Sequence, residues 1–171
     1  ENEPFITQWI VNTNDKEINL EALLFRLRQR ISNRANIELK EDELGLYICS
    51  LSNKTIVYKG MVRSEILAPF YTDLNDKRFE VSFAVYHRRF STNTLPKWPL
   101  AQPMRLLGHN GEINTLLGNI NWAKATETDL RSVWKDNEND LKPIVNNLFS
   151  DSANLDLTLE LLVRSGRPIT D

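Results

Sequence analysis

The sequence predicts an α+β fold, in which strands and hairpins form sheets that pack against helices. Its 171 residues, 41% of them hydrophobic and 26% charged, suit one domain with a buried core. Short runs rich in β-branched and aromatic residues predict the strands. Stretches with apolar residues three and four positions apart predict the helices, most of which follow the strands along the chain.

Four segments predict strands because they are apolar and rich in β-branched or aromatic residues. The hairpin among them has apolar side chains on both faces, so both faces of its sheet must be covered. Its turn falls at Asn53 and Lys54, since Asn tolerates a positive φ. The four segments are residues 5–11, the hairpin 44–62, residues 79–90, and the strand and turn of 106–113.

The clearest helix prediction runs from Asn19 to Ile31. Asn19 is a good N-cap, and apolar residues then recur three and four positions apart. Arg26, Arg28 and Arg30 fall mostly on the solvent face of this helix. Its apolar face consists of Leu20, Leu23, Leu24, Leu27 and Ile31.

Three further helices are predicted, and caps and prolines set their limits. They are a short helix that begins at Ser64 and bends near Pro69, a helix over residues 114–130, and a last helix that is capped by Ser150 or Asp151 and ended by Gly166 and Pro168. The apolar side of the last helix consists of Leu155, Leu159 and Leu162. The predicted loops are residues 32–43, the proline-rich 91–105 and the polar 133–140.

Composition argues against several classes of function. The formal net charge of −2 gives no electrostatic reason to expect nucleic-acid or membrane binding. No apolar run approaches the roughly 20 residues that span a bilayer. The single cysteine, Cys49, cannot form an internal disulfide framework. One cysteine and two histidines at unsuitable spacing are too few for a metal site, so none is predicted.

Three polar clusters could carry chemistry, although each also has a plain structural interpretation. Residues 87–92, HRRFST, are either solvated arginines at a strand end or a carboxylate grip. Residues 108–113, GHNGEI, are either a type I′ or related turn or an oxyanion hole built from the Asn amide and the following backbone N–H. Residues 149–156, FSDSANLD, are either a helix N-cap or a carboxylate that binds an ammonium group. Taken together, they describe a site for an α-amino acid with a reacting side-chain carbonyl, and glutamine fits that description.

The order of these motifs resembles that of the class II glutamine amidotransferases. The stretch 86–122 and the segments TIVYKGM (55–61) and SDSANLDLTLELLVRSGR (150–167) are similar to those of the glutamate synthase family within that class. The resemblance implies an N-terminal-nucleophile hydrolase fold, an αββα sandwich with two antiparallel sheets, which would be incomplete in this chain.

The resemblance also implies roles for individual residues. Arg89 would bind the α-carboxylate of glutamine, and Asp151 would bind its α-amino group. Asn110 and Gly111 would form the oxyanion hole. Arg88 is adjacent to Arg89, but side chains alternate along a strand, which favours Arg89 for the site.

The family's nucleophile is a cysteine at the mature N-terminus, whose own α-amine acts as base. Glu1 cannot take this role, and Cys49 is interpreted as a small buried thiol. Residues 1–171 are therefore expected to be the central part of a glutaminase domain, without the nucleophile-bearing segment or the downstream synthase domains, and inactive alone. The segment from Thr94 to Gln102 would correspond to the loop that closes over glutamine.

The complete enzyme would hydrolyse L-glutamine and pass the ammonia to 2-oxoglutarate. No cofactor is expected in this chain, while FMN and an iron–sulfur cluster are implied in the rest of the enzyme. The implied partners are the remaining synthase domains and, as electron donor, ferredoxin or a pyridine-nucleotide reductase subunit; nucleic acid and membrane are not expected. The implied location is the cytoplasm, or the plastid stroma in a photosynthetic eukaryote.

Two other interpretations compete with this one. The chain could be a non-catalytic amino-acid-binding or scaffold module derived from an amidotransferase. A nucleic-acid surface is disfavoured by the acidic net charge; its residues would be Arg88, Arg89, Lys97, Trp98 and Arg105. His87 and His109 are expected to have hydrogen-bonded structural roles.

Overall fold

The computed structural model describes residues 3–14, 19–38, 45–90 and 95–170. All regular structure in these ranges is helical. The α-helices are α1 (Leu20–Glu38), α2 (Ser64–Phe70), α3 (Leu116–Thr126), α4 (Arg131–Trp134), α5 (Glu138–Leu141) and α6 (Asp151–Arg164). Single 3₁₀ turns lie at Thr72–Asn75, Trp98–Leu100, Glu127–Leu130 and Lys135–Asn137.

The predicted sheets are not confirmed. Within the described ranges, the segments that predict strands have no β-ladder, and their backbone is irregular or extended. The apolar side chains of residues 5–11 and 79–86 are open to solvent, as Trp9 (83% exposed) and Phe83 (78% exposed) show, whereas most of those in the predicted hairpin are partly buried. A strand is stable only when a neighbour about 4.8 Å away pairs with its N–H and C=O groups. Composition indicates that a segment can pair, but the partner is not a local property.

The N-terminus of α1 is where the sequence predicts it. The Asn19 Oδ1 accepts a hydrogen bond from the Ala22 N–H at 3.3 Å, which confirms the N-cap. The helix continues to Glu38, so the loop prediction is wrong for residues 32–38, and residues 39–43 lie outside the described ranges. Asn33 gives this polar stretch a tertiary contact, because its amide donates to the carbonyl of Lys142 at 2.8 Å.

The buried face of α1 differs from the predicted one. Its buried residues are Glu21, Phe25, Arg28 and Gln29. Leu23, Leu27 and Ile31 are exposed instead. The prediction that Arg28 faces solvent is wrong, because Arg28 forms a buried ion pair with Glu160 of α6. Burial, together with the nearby Arg105, lowers the pKa of Arg28 to about 10, and the Glu160 carboxylate offsets part of that penalty.

The last helix, α6, shows the same pattern. The Ser150 Oγ accepts from the Ala153 N–H at 3.2 Å, so Ser150 is the N-cap, and Gly166 ends the helix with a φ of 93°. The predicted apolar side is not the buried side, since Leu155 and Leu162 are exposed. The residues that α6 buries are Ser152, Ala153, Asn154, Asp156, Leu157, Glu160 and Leu161.

Helical turns connect α3 to α6 and complete the core. The polar residues 133–140, predicted to be a loop, lie mostly in α4, α5 and the 3₁₀ turn between them. The Asp140 carboxylate on α5 is 3.3 Å from the Arg26 Nε on α1, which holds these turns against the first helix. The core cluster consists of Phe25, Ile120, Ala123, Leu130, Leu141, Ile144, Val145 and Leu161.

Candidate functional site

The segment in front of GHNGEI is held by a buried carboxylate on α6. Asp156 is 1% exposed, and its Oδ1 accepts from the Leu106 N–H at 2.8 Å and the Leu107 N–H at 3.1 Å. Its Oδ2 accepts from the Arg105 N–H at 3.2 Å. Three consecutive backbone donors therefore converge on one side chain, which fixes the chain just before Gly108.

The Asn-Gly pair is not a type I′ turn. Such a turn needs a positive φ at both central residues, and neither Asn110 nor Gly111 has one. A Cβ added at Gly111 would meet only the His109 Nδ1, at an ordinary 3.5 Å. Folding therefore does not demand glycine here. The absent side chain leaves space beside the backbone N–H, as close approach of a ligand requires.

His87 joins the first polar cluster to the second. Its Nε2 lies 2.8 Å from the Asn110 Oδ1 and 3.1 Å from the His109 carbonyl oxygen. Its Nδ1 accepts from the Arg89 N–H at 3.2 Å. The imidazole thus bridges the HRRFST and GHNGEI motifs, which are 23 residues apart at His87 and Asn110.

His109 joins the second polar cluster to the third. Its Nε2 is 2.8 Å from the Ser152 Oγ, and that hydroxyl donates to the Asp151 Oδ1 at 3.1 Å. The Asp151 Oδ2 accepts from the Ile113 N–H at 2.9 Å. All three clusters therefore belong to one hydrogen-bonded network. The expected hydrogen-bonded roles of the two histidines are confirmed.

Arg89 enters this network through its backbone. Its side chain is exposed, as is that of Arg88. The described residues around them form no strand, so strand alternation does not select one arginine over the other. Ser91, Thr92 and Thr94 lie outside the described ranges. The choice of Arg89 stays a prediction.

A family model described as "Glutamine amidotransferases class-II" matches residues 1–171, the whole chain. The chain belongs to this family. A relative named ferredoxin-dependent glutamate synthase, from Pyropia yezoensis, is 55% identical over 168 residues, which are 97% of this chain and 11% of the relative. A second, "Ferredoxin-dependent glutamate synthase 2" from Synechocystis, is 56% identical over 170 residues, 97% of this chain and 10% of the relative.

A plant relative from Spinacia oleracea, named as the chloroplastic ferredoxin-dependent enzyme, is 54% identical over 154 residues, 90% of this chain and 9% of the relative. The chain therefore spans about a tenth of the length of the curated relatives that it matches. Membership of the amidotransferase class implies the N-terminal-nucleophile hydrolase fold that the sequence resemblance also implied.

In this amidotransferase chain, the end of the proline-rich loop is anchored by a buried lysine that the sequence did not point to. The Lys59 Nζ donates to the carbonyls of Pro99 at 2.9 Å and Ala101 at 2.7 Å. The Tyr71 hydroxyl donates to the Lys59 carbonyl at 2.6 Å. The segment predicted to close over glutamine is therefore fixed at its C-terminal end, while Leu95 near its start is exposed; Thr94 lies outside the described ranges.

Cys49 is unsuited to act as the amidotransferase nucleophile. Its side chain is half-buried, and burial raises the pKa of the thiol despite the nearby Lys59 and Arg105 cations. The reactive form of cysteine is the thiolate, so a raised pKa lowers nucleophile concentration at neutral pH. Among the described residues, no hydrogen bond joins Cys49 to the network of His87, Asn110 and Asp151.

Two clefts among the described residues lie apart from the predicted site residues. A cleft of about 40 Å³ between α1 and residues 143–146 is lined by Arg28 and Arg105, and neither Asn110 nor Asp151 borders it. In the described part of the chain, no three His, Cys, Asp or Glu side chains are grouped to hold a metal ion. No described helix is long and apolar enough to cross a bilayer. The side chain of Arg105, one member of the disfavoured nucleic-acid surface, is only 9% exposed.

Proposed function

We propose that this chain is the central part of a glutaminase domain that hydrolyses L-glutamine to glutamate and ammonia. In the complete protein, a glutamate synthase, the ammonia would be passed to 2-oxoglutarate. The observation that carries the proposal is the hydrogen-bonded network that contains both Asn110 and Asp151. It brings an amide donor and a carboxylate from separate motifs to one place, as recognition of an amino acid requires.

Both charged groups on the α-carbon of glutamine have a complementary side chain. The guanidinium of Arg89 suits the α-carboxylate, since it can donate two parallel hydrogen bonds. Asp151 accepts three hydrogen bonds, from the Ile113 N–H and from the N–H and hydroxyl of Ser152. A carboxylate offers about four lone-pair sites, so one is left for the α-ammonium group.

The reaction centre is the side-chain amide of glutamine. A thiolate attacks the amide carbon, a C–S bond forms, and the carbonyl oxygen becomes an oxyanion that accepts from the Asn110 Nδ2 and the Gly111 N–H. The C–N bond then breaks with proton transfer to nitrogen, and ammonia leaves. Water hydrolyses the thioester to glutamate. The proposed source of the thiolate is the cysteine that the family resemblance implies at the mature N-terminus, and not Cys49, whose thiol pKa is raised by burial.

The proposed electron donor of the complete enzyme is ferredoxin, in keeping with the names of the relatives. FMN and an iron–sulfur cluster would serve the synthase reaction elsewhere in the polypeptide. One cysteine does not fit an iron–sulfur cluster, which is held by several thiolates. A plastid location is favoured if the protein comes from a photosynthetic eukaryote, because the plant relatives are named chloroplastic.

Asn110→Ala in the complete enzyme tests the oxyanion role. Loss of one oxyanion donor costs about 3–4 kcal/mol of barrier, so kcat for glutamine hydrolysis should fall about 10²- to 10³-fold with little change in KM. The matched control is Asn114→Ala, the same chemical change at an exposed neighbour. Steady-state kinetics in which both variants retain wild-type turnover would refute the oxyanion role of Asn110, whereas a complete protein that binds glutamine without hydrolysing it would favour a non-catalytic binding module.

Arg89→Ala tests substrate binding. Hydrogen bonds to charged groups contribute about 1.5–3 kcal/mol, so KM for glutamine should rise about 10- to 100-fold while kcat changes less. Arg88→Ala is the control, since the adjacent arginine is equally exposed. A larger rise in KM for Arg88→Ala would reassign the carboxylate-binding role to Arg88.

A further inference from the structure

The contacts of His87 determine which of its ring nitrogens carries the proton. The Nδ1 faces the Arg89 N–H at 3.2 Å, and a backbone N–H can only donate, so this Nδ1 is the acceptor. The proton of the neutral ring is therefore on Nε2. The two groups within reach of Nε2 are both acceptors, the Asn110 Oδ1 at 2.8 Å and the His109 carbonyl at 3.1 Å. All three contacts agree with one tautomer.

This tautomer also fixes the orientation of the Asn110 amide. If the amide were rotated by 180°, its NH₂ group would face the Nε2–H, and two donors would meet. With the oxygen toward His87, the Nδ2 points away from the imidazole and keeps both of its hydrogens for another acceptor. Asn110 is exposed, so surrounding packing does not choose between the two orientations. His87 does.

We propose that His87 is a positioning residue that holds the Asn110 amide with its nitrogen toward the substrate oxyanion. This inference rests on the proposed glutaminase function. An oxyanion hole needs a donor that is already oriented when charge develops, because reorientation during the reaction raises the barrier. His87 acts through Asn110, since both of its ring nitrogens are hydrogen-bonded to protein groups. The first motif thus contributes to catalysis as well as to substrate binding.

Two isosteric replacements of His87 in the complete enzyme separate this role from simple loss of the ring. Gln places its amide nitrogen near the position of Nε2, whereas Asn places its amide nitrogen near that of Nδ1. His87→Gln should keep kcat within about threefold of wild type, because a donor to Asn110 survives. His87→Asn and His87→Ala should lower kcat about 10- to 100-fold, a part of the full oxyanion-donor loss, with KM changed less than about twofold.

A double-mutant cycle with Asn110→Ala tests whether His87 acts through Asn110. In the Asn110→Ala background, His87→Ala should lower kcat less than about twofold further, since no amide is left to orient. An equal loss in both backgrounds would overturn the inference. Equal turnover of the Gln and Asn variants would also overturn the inference. The two variants are similar in size and polarity, so their thermal melting temperatures serve as a check on folding.

The same measurements distinguish failure of the inference from failure of the proposed function. If Asn110→Ala alone is as active as wild type, the oxyanion role of Asn110 is wrong and the inference fails with it. If Asn110→Ala is strongly impaired while His87→Ala and His87→Asn match wild type, only the positioning role is overturned.

Discussion

Asp156→Asn should destabilise the chain strongly, because one buried carboxylate serves several donors at once. Its two oxygens accept from the N–H groups of Arg105, Leu106 and Leu107, and its Oδ2 lies 3.9 Å from the Arg105 Nη1. Asparagine has a single oxygen. If that oxygen keeps the bonds to Leu106 and Leu107, the new NH₂ group faces the N–H and the guanidinium of Arg105.

The size of the destabilisation follows from the groups of Arg105 that Asp156→Asn leaves without an acceptor. Removal of one partner from a buried ion pair costs about 3–5 kcal/mol, and an unsatisfied buried N–H costs about 1–3 kcal/mol by itself. Glu160 carries a second negative charge near Arg105, so the guanidinium keeps part of its compensation. We therefore expect a loss of about 3–4 kcal/mol in the free energy of unfolding, at or just below the lower end of the combined range of about 4–8 kcal/mol.

The assay is urea denaturation followed by tryptophan fluorescence. Trp134 packs on Phe25 in the core with ring centroids 5.9 Å apart, so its emission reports unfolding. At a slope of about 1–3 kcal/mol per molar urea, the midpoint should fall by at least about 1 M. Asp140→Asn is the control, since its more exposed ion pairs are expected to contribute less than about 1 kcal/mol. Equal midpoints for the two variants would refute the reasoning.

Two further predictions concern ionisation. Burial and the hydrogen bond to Asp73 raise the pKa of Tyr58 to about 12, above the ordinary value near 10. The contribution of protonated Tyr58 to the free energy of unfolding is therefore complete below pH 10 and is lost as the pH rises toward 12. Tyr58→Phe should flatten the fall of stability over this range in urea titrations, and an unchanged slope would count against the shift. Because burial raises the pKa of Cys49, its thiol should react with an aromatic disulfide reagent at pH 8 more slowly than free cysteine. Cys49→Ser in the complete enzyme should keep glutaminase turnover, and a Cys49-dependent activity would contradict its exclusion as nucleophile.

The candidate site could be located from the sequence because its parts are short motifs with distinct chemistry. HRRFST, GHNGEI and FSDSANLD each contain a residue type that suits one group of glutamine. The supporting contacts could not be predicted in the same way. Asp156 and Lys59 are charged residues inside apolar stretches, NLDLTLELL and TIVYKGM, and this is the only local sign of their burial. Which backbone groups they hold depends on the tertiary fold.

Helix ends were predicted more accurately than helix faces. The caps at Asn19, Ser150 and Gly166 depend on backbone geometry within a few residues, so local sequence is sufficient to find them. The faces of α1 and α6 were misassigned because their leucine stripes were taken as the side that packs. In the structure, α1 and α6 contribute Phe25 and Leu161 to the core, and ion pairs join Arg28 to Glu160 and Glu21 to Arg164 beside it.

The sequence by itself determined the family, the three motifs, the start of α1 and both ends of α6, since each depends on residues close together in the chain. Only the tertiary structure decided that Arg28 is buried and that His87 orients Asn110. The physical reason is the same for both. A guanidinium enters the core only where a carboxylate meets it, and the carboxylate that does so, Glu160, is 132 residues away. The orientation of an amide likewise depends on a donor that another part of the chain supplies.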